Sequence, residues 1–529
     1  MIAKNQNQIK IAQYWIYFGS LGLLMISLPT SRFVMTLSLV LLTANWLLTA
    51  DFKAKIKSFL SNKPAIAFTL IYILNIIGLL WTQDFRFALQ NDLLHKLPTL
   101  LLPIIITTSP QLSKQRVNQL LLLFIASVFA VTLVGLFIRL FNQGVDFRQA
   151  SPFVPNVYFS MMLVIAAFQL PFLAKPPHIP LRIKVLASAV SLWFVFYIFF
   201  LRSLSGLVAF LGVLVFIVIK SNKRKFKLAF LGVFTFLFVF FVWLFVDMYR
   251  ITHTEIIENN RLLIYTINGD AYSHDTTHIL RENGNLVYIN IAQNELAKEW
   301  GRVSASNFYG EDNTNHELRH TLYRYMASKG LTKDSVGFSS LTHDDILAVE
   351  NNIPNYLYTS WPGIFVRVHQ TAMGLYMYKK SGYKQPSWST LTERLDLWRA
   401  SYVAFKQKPL VGWGTGSILV AQNYGLSKNQ SVLLGKGMKP HSQYLYILLT
   451  LGALGLLAHI FLYGYFVRES KVYRVFMFNI FLIVFAIYFI ANNSIESQVG
   501  QNMFVLFSLL YWVSLSKPVD DEVNYSTSD

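Results

Sequence analysis

The chain has 529 residues, of which 54% are hydrophobic and 14% are charged, and its mean hydropathy is +0.42. Because a soluble protein is usually about a quarter charged, most of this chain is expected to lie in lipid. The sequence contains no cysteine, which excludes disulfides, thiolate metal sites and cysteine nucleophiles. The net charge of +19 is typical of cytoplasmic-loop lysines that orient a membrane protein, so nucleic acid is not an expected partner.

Apolar runs of about twenty residues predict an all-α polytopic membrane protein with about twelve transmembrane helices. Nine runs precede a long polar interval and three follow it. The nine lie near residues 11–28, 32–50, 65–81, 97–106, 118–141, 154–173, 183–201, 205–220 and 229–245, and the other three near 444–466, 472–491 and 503–515. No small-residue cleavage site follows the first run, so it is predicted as a span and not as a removed signal.

Lysine and arginine concentrate in alternate loops, as in residues 53–63 and 220–227. By the positive-inside rule both termini are predicted to be cytoplasmic, with the polar interval outside. The predicted divisions are helices 1–9 in residues 1–246, an outer loop domain in 247–440, helices 10–12 in 441–516 and a cytoplasmic tail in 517–529.

The polar interval is too patterned for a disordered loop. Asn268-Gly269 and Asn283-Gly284 predict turns, and residues 286–291 read as a short strand. A helix is predicted over residues 317–329, where Gly330 ends it, and another over 344–349 after a capping box. The interval is therefore expected to form a small, mostly helical domain.

A third helix is predicted over residues 391–407, opened by a capping box of Thr390 and Glu393. Helical spacing places an apolar stripe on one face, with Arg394 at its flank. The stripe consists of Leu391, Leu395, Trp398, Tyr402 and Phe405. An arginine in this position is either a snorkelling side chain or a clamp for an anion.

Gly412, Gly414 and Gly416 follow this helix and allow close backbone approach to a ligand. Without a βαβ context they indicate phosphate binding only weakly, and a tight turn explains them equally well. His441 stands at the start of the tenth predicted span, between Lys439 and Gln443. It is either an interfacial residue or a group that exchanges a proton near neutral pH.

These parts resemble the signature of the bacterial O-antigen ligase/polymerase family. The signature consists of Arg394 and Trp398 on one helix, then KPLVGWGTG, HSQYL and LGALG, in that order. The segments WTQDFRFALQNDLLHKLPTLLLP and SPFVPNVYFSMML are also similar to recurrent pieces of such proteins. The predicted layout of about twelve spans with one large loop is similar to that of the ligase branch.

The resemblance implies transfer of a glycan from undecaprenyl-pyrophosphate to an acceptor by a metal-independent, inverting displacement without a cofactor. It places the outer loop domain in the periplasm and the chain in a bacterial inner membrane. It implies that His441 is the general base and that Arg394 binds the pyrophosphate leaving group. Arg202, which follows the seventh span, is the candidate for a second family arginine. Lys439, Gln443 and the three glycines, with Lys96 and Arg86 on the outer side, are candidate substrate ligands.

Several alternatives remain open at the level of sequence. The acceptor is lipid A-core, a growing glycan chain in a polymerase, or a periplasmic protein in an O-oligosaccharyltransferase. A lipid-linked glycan flippase is the alternative from a different class, although transport sites usually lie at mid-membrane. His274, Asp275 and His278 could ligate a metal, but no single helix face holds them, and a surface loop is predicted.

Overall fold

The computed structural model describes residues 2–49, 51–141, 150–253, 261–312, 316–387 and 389–515, so the predicted tail, residues 517–529, lies outside the described residues. The described chain is nearly all-α, as predicted. The helices of its apolar regions are Ile2–Ser27, Arg32–Leu48, Phe52–Leu60, Lys63–Ile77, Pro98–Thr108, Lys114–Phe141, Asn156–Leu173, Leu181–Phe200, Leu204–Lys220, Arg224–His253, Gln443–Ser470, Phe476–Ala491 and Gln498–Val513.

Seven helices in the described part of the chain are long and apolar enough to cross a membrane. They are Gln8–Ser27, Lys63–Trp81, Lys114–Phe141, Asn156–Leu173, Leu181–Phe200, Phe230–Thr252 and Gln443–Ser470. Arg32–Leu48 and Phe52–Leu60 form a pair bent by 113°, and Leu204–Lys220 and Phe476–Ala491 are shorter apolar helices. The chain is therefore a membrane protein, and the number of twelve spans stays a prediction.

Helix Gln498–Val513 lies in the centre of the membrane region, because every residue from Val499 to Tyr511 is buried. Aromatic rings fill the space around it. The ring of Phe481 stacks on that of Phe507 with centroids 5.8 Å apart, and Phe485 lies 5.1 Å from Phe504. Since lipid tails are as apolar as these side chains, close packing stabilises the arrangement more than removal from water does.

Residues 261–312 and 316–387, which we call the polar domain, pack around buried Trp300, Leu322 and Met326. Its strands are Arg281–Glu282 and Asn285–Leu286, which pair antiparallel. Its helices are Gln293–Val303, Leu318–Ser328, Ser335–Ser339, His343–Glu350, Leu357–Ser360 and Gly363–Lys380. The last helix also contacts helix Arg224–His253, since Ala372 packs against Leu244 and Met248.

Most local predictions for this domain are confirmed. Gly269 and Gly284 have positive φ angles in turns, Gly330 follows helix Leu318–Ser328, and the capping box of Thr342 and Asp345 opens helix His343–Glu350. The strand predicted over residues 286–291 is wrong beyond Leu286. Asn290 has a φ of +53°, which interrupts the extended backbone.

Helix Thr390–Gln407, the site helix, departs from prediction in two respects. Its capping box joins Ser389 and Thr392, one residue before the predicted pair. The predicted apolar stripe is not the buried face, since Leu391 and Tyr402 are exposed. The buried residues are Thr392, Asp396, Leu397, Ala400, Ser401 and Ala404.

Close packing explains this buried face of the site helix. A Cβ atom on Gly425, in helix Ile418–Lys428, would lie 2.0 Å from the carbonyl oxygen of Ala400. The two backbones therefore approach so closely that only small side chains fit between them. Asp396 is accommodated there because its carboxylate accepts hydrogen bonds from Tyr378 and Ser431.

Candidate active site

A turn of the chain is inserted into a break in a membrane helix. The helix Gln443–Ser470, called the broken helix below, has a φ of +68° and a ψ of −171° at Gly452. Residues 409–417, the glycine turn, supply partners for backbone groups on both sides of the break. The N–H groups of Trp413 and Gly414 donate to the carbonyls of Leu449 and Thr450, both at 2.8 Å.

The exchange is reciprocal, because two N–H groups beyond Gly452 donate back to the turn. Ala453 donates to Pro409 at 2.8 Å and Leu454 donates to Leu410 at 3.1 Å. Irregular backbone at membrane depth is tolerated only where protein satisfies its polar groups, and here the two irregular segments satisfy each other. The G-W-G-T-G and L-G-A-L-G motifs are therefore two halves of one structural unit.

The three glycines of the turn lie against neighbouring backbone. Gly412, Gly414 and Gly416 have φ angles of +70°, +99° and +90°. A Cβ atom on Gly414 would lie 2.6 Å from Cα of Thr82, and one on Gly416 would lie 2.6 Å from the amide nitrogen of Ala88. This geometry shows that the tight turn requires glycine at these three positions. Contact of the glycines with substrate stays a prediction.

Substitution of Gly414 by alanine is expected to destabilise the protein by about 2–5 kcal/mol. A left-handed conformation costs a non-glycine residue about 1–2 kcal/mol, and overpacking adds about 1–3 kcal/mol. Thermal unfolding in detergent measures the effect. Gly464→Ala is the control, because a Cβ there meets no atom within 4 Å. Equal stability of the two variants would contradict the tight fit.

The backbone around His441 is fixed from both sides. Trp398 on the site helix donates from Nε1 to the carbonyl oxygen of Pro440 at 3.0 Å. Ser442 donates from Oγ to the carbonyl of Phe489 at 3.2 Å. His441 itself has a φ of +50°, an uncommon conformation for a non-glycine residue that often marks a functional site.

Arg394 lies one helical turn before Trp398 and close enough to His441 to act on it electrostatically. Burial lowers the pKa of His441, and the Arg394 guanidinium and the Lys439 ammonium lower it further. The imidazole is therefore neutral at pH 7 and able to accept a proton. Within the described residues, the side chains of Arg394 and His441 have no hydrogen bond or ion pair with protein.

Lys439, two residues before His441, lies between two aromatic rings. Its Nζ atom is 5.3 Å from the ring centroid of Phe87 and 5.7 Å from that of Tyr446. Arg86, the residue before Phe87, is exposed. Lys439 is thus placed with His441 and Arg394, while a substrate contact of Arg86 stays a prediction.

Gln443 and Lys96 are used inside the protein. The Gln443 amide donates to Glu496 Oε1 at 2.7 Å and accepts from the N–H of Ile495 at 3.2 Å. Lys96 forms an ion pair with Glu496 at 2.8 Å and donates to Asn75 Oδ1 at 2.9 Å. Both side chains are buried and bonded within the protein, and their contact with substrate stays a prediction.

Asp92 ties this buried network to the glycine turn. Its carboxylate accepts from the Tyr446 hydroxyl at 2.6 Å and from the N–H of Gly416 at 2.9 Å. Asp92 and Glu496 were not among the residues predicted for the site. The sequence contains a signal that could have identified Asp92. A carboxylate within an apolar stretch must have a partner, and Asp92 precedes Lys96 by four residues.

Arg202 lies against the polar domain. A Cβ atom on Gly363, the first residue of helix Gly363–Lys380, would lie 3.2 Å from Cζ of Arg202. Its role as a second phosphate ligand stays a prediction.

The histidines considered for metal binding lie in a surface region, as predicted. Asp275 and His278 are exposed and bond to each other at 3.1 Å. His274 Nε2 is 2.9 Å from the carbonyl oxygen of Leu263. These three side chains therefore form local contacts within the surface region.

This geometry defines a class of integral membrane protein. Its members have a broken helix, an inserted glycine turn and a neutral histidine beside an arginine, and here that arginine has no ion pair among the described residues. Residues 352–460 match the family described as O-Antigen ligase, which supports an O-antigen ligase-family protein and confirms the resemblance. The matched range contains Arg394, the glycine turn and His441. Such ligases and polymerases are glycosyltransferase-like, so a general enzymatic role follows. No curated protein matches the chain.

Proposed function

We propose that the chain transfers a glycan from undecaprenyl-pyrophosphate to an acceptor hydroxyl at the periplasmic face of the bacterial inner membrane. Lipid A-core is the favoured acceptor. The observation that carries this proposal is the neutral imidazole of His441 beside the unpaired guanidinium of Arg394. A base and an anion ligand are the two groups that a displacement at a glycosyl pyrophosphate requires.

His441 acts as the general base in the proposed reaction. As the acceptor oxygen attacks the anomeric carbon, its proton passes to the imidazole. The bond between the anomeric carbon and the pyrophosphate oxygen breaks, and undecaprenyl-pyrophosphate leaves with the electron pair. The configuration at the anomeric carbon inverts, because attack and departure occur on opposite faces of the sugar ring.

Arg394 binds the leaving group. A guanidinium matches two phosphate oxygens at once and stays charged, so it stabilises the negative charge that develops on the pyrophosphate. Burial lowers the pKa of Arg394, yet a guanidinium remains protonated in proteins. The partial removal from water strengthens its attraction for the phosphate oxygens.

The direct test is reconstitution of the full chain with a lipid-pyrophosphate glycan and lipid A-core, followed by mass analysis. A product in which the intact glycan is joined to lipid A-core is expected, with equal yield after addition of a chelator. A product that extends the donor glycan would indicate a polymerase, and a glycosylated protein would indicate an O-oligosaccharyltransferase. Movement of the donor across the membrane without transfer would indicate a flippase.

The Lys439→Met variant is expected to shift the acid limb of the pH profile of kcat/KM to higher pH. Burial is the largest cause of the lowered pKa of His441, and the charges of Arg394 and Lys439 add to it. Removal of the Lys439 charge therefore raises this pKa toward its ordinary value, and the base becomes protonated at a higher pH.

Lys436→Met is the matched control for this profile. Lys436 lies in the same loop, is exposed, and is not among the charges that act on His441. An acid limb that moves equally in both variants, or in neither, would contradict the assignment of the limb to His441.

A further inference from the structure

A short amphipathic helix lies at the end of the membrane region remote from His441. This short helix, Phe52–Leu60, is followed directly by helix Lys63–Ile77. The 15 residues of the second helix span about 22 Å. At its far end the carbonyl oxygen of Gly78 accepts from the N–H of Thr415, in the glycine turn, at 3.0 Å. The short helix and the candidate active site therefore lie at opposite ends of one membrane helix.

Side-chain contacts hold the short helix across the end of the helix before it. The two helices are bent by 113° from each other. Lys55 Nζ, on the short helix, donates to the carbonyl oxygen of Trp46 at 2.5 Å and to Oγ1 of Thr49 at 2.6 Å. Trp46 in turn donates from Nε1 to Thr108 Oγ1 at 2.7 Å. A tryptophan whose N–H is bonded at the end of a span is typical of the membrane–water interface, which places the short helix at that level.

The exposed surface of the short helix has an apolar stripe and a basic edge. The stripe repeats every fourth residue, and Phe52, Ile56 and Leu60 are 45%, 57% and 64% exposed. Lys53 and Lys57 lie beside it, also four residues apart and exposed. Such a helix buries its apolar face at the boundary between headgroups and acyl chains and keeps its lysines among the headgroups. The short helix therefore has the pattern of a helix that lies in the plane of a membrane surface.

Positive charge dominates this end of the chain. Lys63, at the start of the next helix, is a third exposed lysine. Asp51 is the only carboxylate in the sequence from residue 49 to residue 83, and it accepts from the N–H of Ala54 at 3.3 Å. Helix Pro98–Thr108, which packs against the short helix, contains no charged residue. Three exposed ammonium groups against one carboxylate are complementary to an anionic surface.

We propose that the short helix and Lys63 form a docking surface for anionic phospholipids of the bilayer. The ammonium groups of Lys53, Lys57 and Lys63 bind the phosphate groups, and the apolar stripe enters the acyl boundary. By the predicted orientation this surface meets the cytoplasmic leaflet, where anionic lipids attract basic segments. The inference goes beyond glycan transfer and does not depend on it, because the surface lies at the end of the membrane region away from His441.

The depth of the short helix is the first test. The sequence contains no cysteine, so Ile56→Cys and Ser58→Cys can each carry one spin label in the full chain. Both positions are exposed, and they lie on opposite sides of the helix. In bilayers of phosphatidylcholine and phosphatidylglycerol, oxygen is expected to relax the label at residue 56 more than a water-soluble nickel chelate does. The order is expected to reverse at residue 58.

Three outcomes of this measurement would overturn the inference. Stronger relaxation by the chelate at both residues would place the short helix in water. Stronger relaxation by oxygen at both would place it within the acyl chains. Protection of residue 56 from both reagents would indicate that a second copy or another protein covers the apolar stripe.

Lipid selectivity at the same position is the second test. A fluorophore on Ile56→Cys is quenched by bromine on the acyl chains of neighbouring lipids. Brominated phosphatidylglycerol is expected to give a quenching constant about fivefold or more above that of brominated phosphatidylcholine at equal mole fraction. One lysine near a membrane surface contributes about that factor. Equal quenching by the two lipids would contradict the docking surface.

Lysine variants assign this selectivity to the proposed groups. Equal quenching by both lipids is expected for the combined variant Lys53→Gln/Lys57→Gln/Lys63→Gln. Unchanged selectivity is expected for the matched control with the same change in net charge on the polar domain, Lys298→Gln/Lys379→Gln/Lys380→Gln. A fluorophore on Leu192→Cys, exposed in the middle of helix Leu181–Phe200, is expected to show no selectivity. Selectivity that persists in the first variant, is lost in both, or is equal at residue 192 would overturn the inference.

Discussion

The His441→Asn variant is expected to lose about 10²–10⁴-fold in kcat/KM for glycan transfer, the usual contribution of a general base. Asparagine is the informative replacement because His441 has a φ of +50°, which asparagine tolerates better than alanine does. The loss then reports the missing imidazole and not a strained backbone. Initial rates of product formation from reconstituted protein measure it.

Binding provides the internal control for this variant. Arg394 is unchanged in His441→Asn, so the affinity for inorganic pyrophosphate is expected to stay within about threefold of wild type, a difference of less than 1 kcal/mol. His278→Asn, at an exposed position of the polar domain, controls for the substitution itself. Transfer by His441→Asn within tenfold of the wild-type rate would remove His441 from the role of base.

The local motifs could be predicted from the sequence because each depends on a few neighbouring residues. Thr342 and Asp345 satisfy each other within one turn, and Gly284 supplies the positive φ of a hairpin turn. His441 and Arg394 could be selected because they occur in the order of the family signature, whereas each alone could be an interfacial or a snorkelling side chain. Their proximity depends on the fold, through Trp398 and Pro440.

The supporting network could not be predicted, because its partners are far apart in the chain. Lys96 was predicted on the outer side as a candidate substrate ligand, and its ion pair with Glu496, a residue about four hundred positions later, was not foreseen. Gln443 was predicted as a candidate substrate ligand, and its hydrogen bond to Glu496 was likewise not foreseen. The prediction of which face of the site helix is buried was wrong for a similar reason. The close approach of Gly425 to Ala400 favours small residues on the buried face over the apolar stripe.

The break at Gly452 connects these observations to the proposed chemistry. A continuous helix would satisfy its own backbone and leave no place for the glycine turn. The break provides bonding groups that hold the turn, and the turn continues directly from the site helix through Pro409. The end of the site helix is therefore held at the broken helix, and Trp398 joins the two elements again beside His441. The positions of Arg394 and His441 are coupled through these contacts.

The Arg394→Lys variant is expected to lose about 10–150-fold in kcat/KM for the donor, although the charge is retained. Loss of one of two charge-assisted hydrogen bonds costs about 1.5–3 kcal/mol, and each 1.4 kcal/mol is about tenfold. An ammonium acts as a point charge and cannot match two phosphate oxygens in the plane of a guanidinium. Rates at varied donor concentration measure the loss, and the inhibition constant for inorganic pyrophosphate is expected to rise with it.

Arg399→Lys is the matched control for Arg394→Lys. Arg399 lies on the same helix, is exposed, and stacks over the ring of Tyr383 at 5.5 Å. Its change is expected to leave transfer within twofold. Since Arg394 has no protein partner in the described part of the chain, its replacement leaves the bond between Trp398 and Pro440 intact, and lost activity reports lost substrate contact. Full activity of Arg394→Lys would contradict a two-point contact with pyrophosphate, whereas activity lost with unchanged pyrophosphate inhibition would move the leaving group to another cation, such as Lys439.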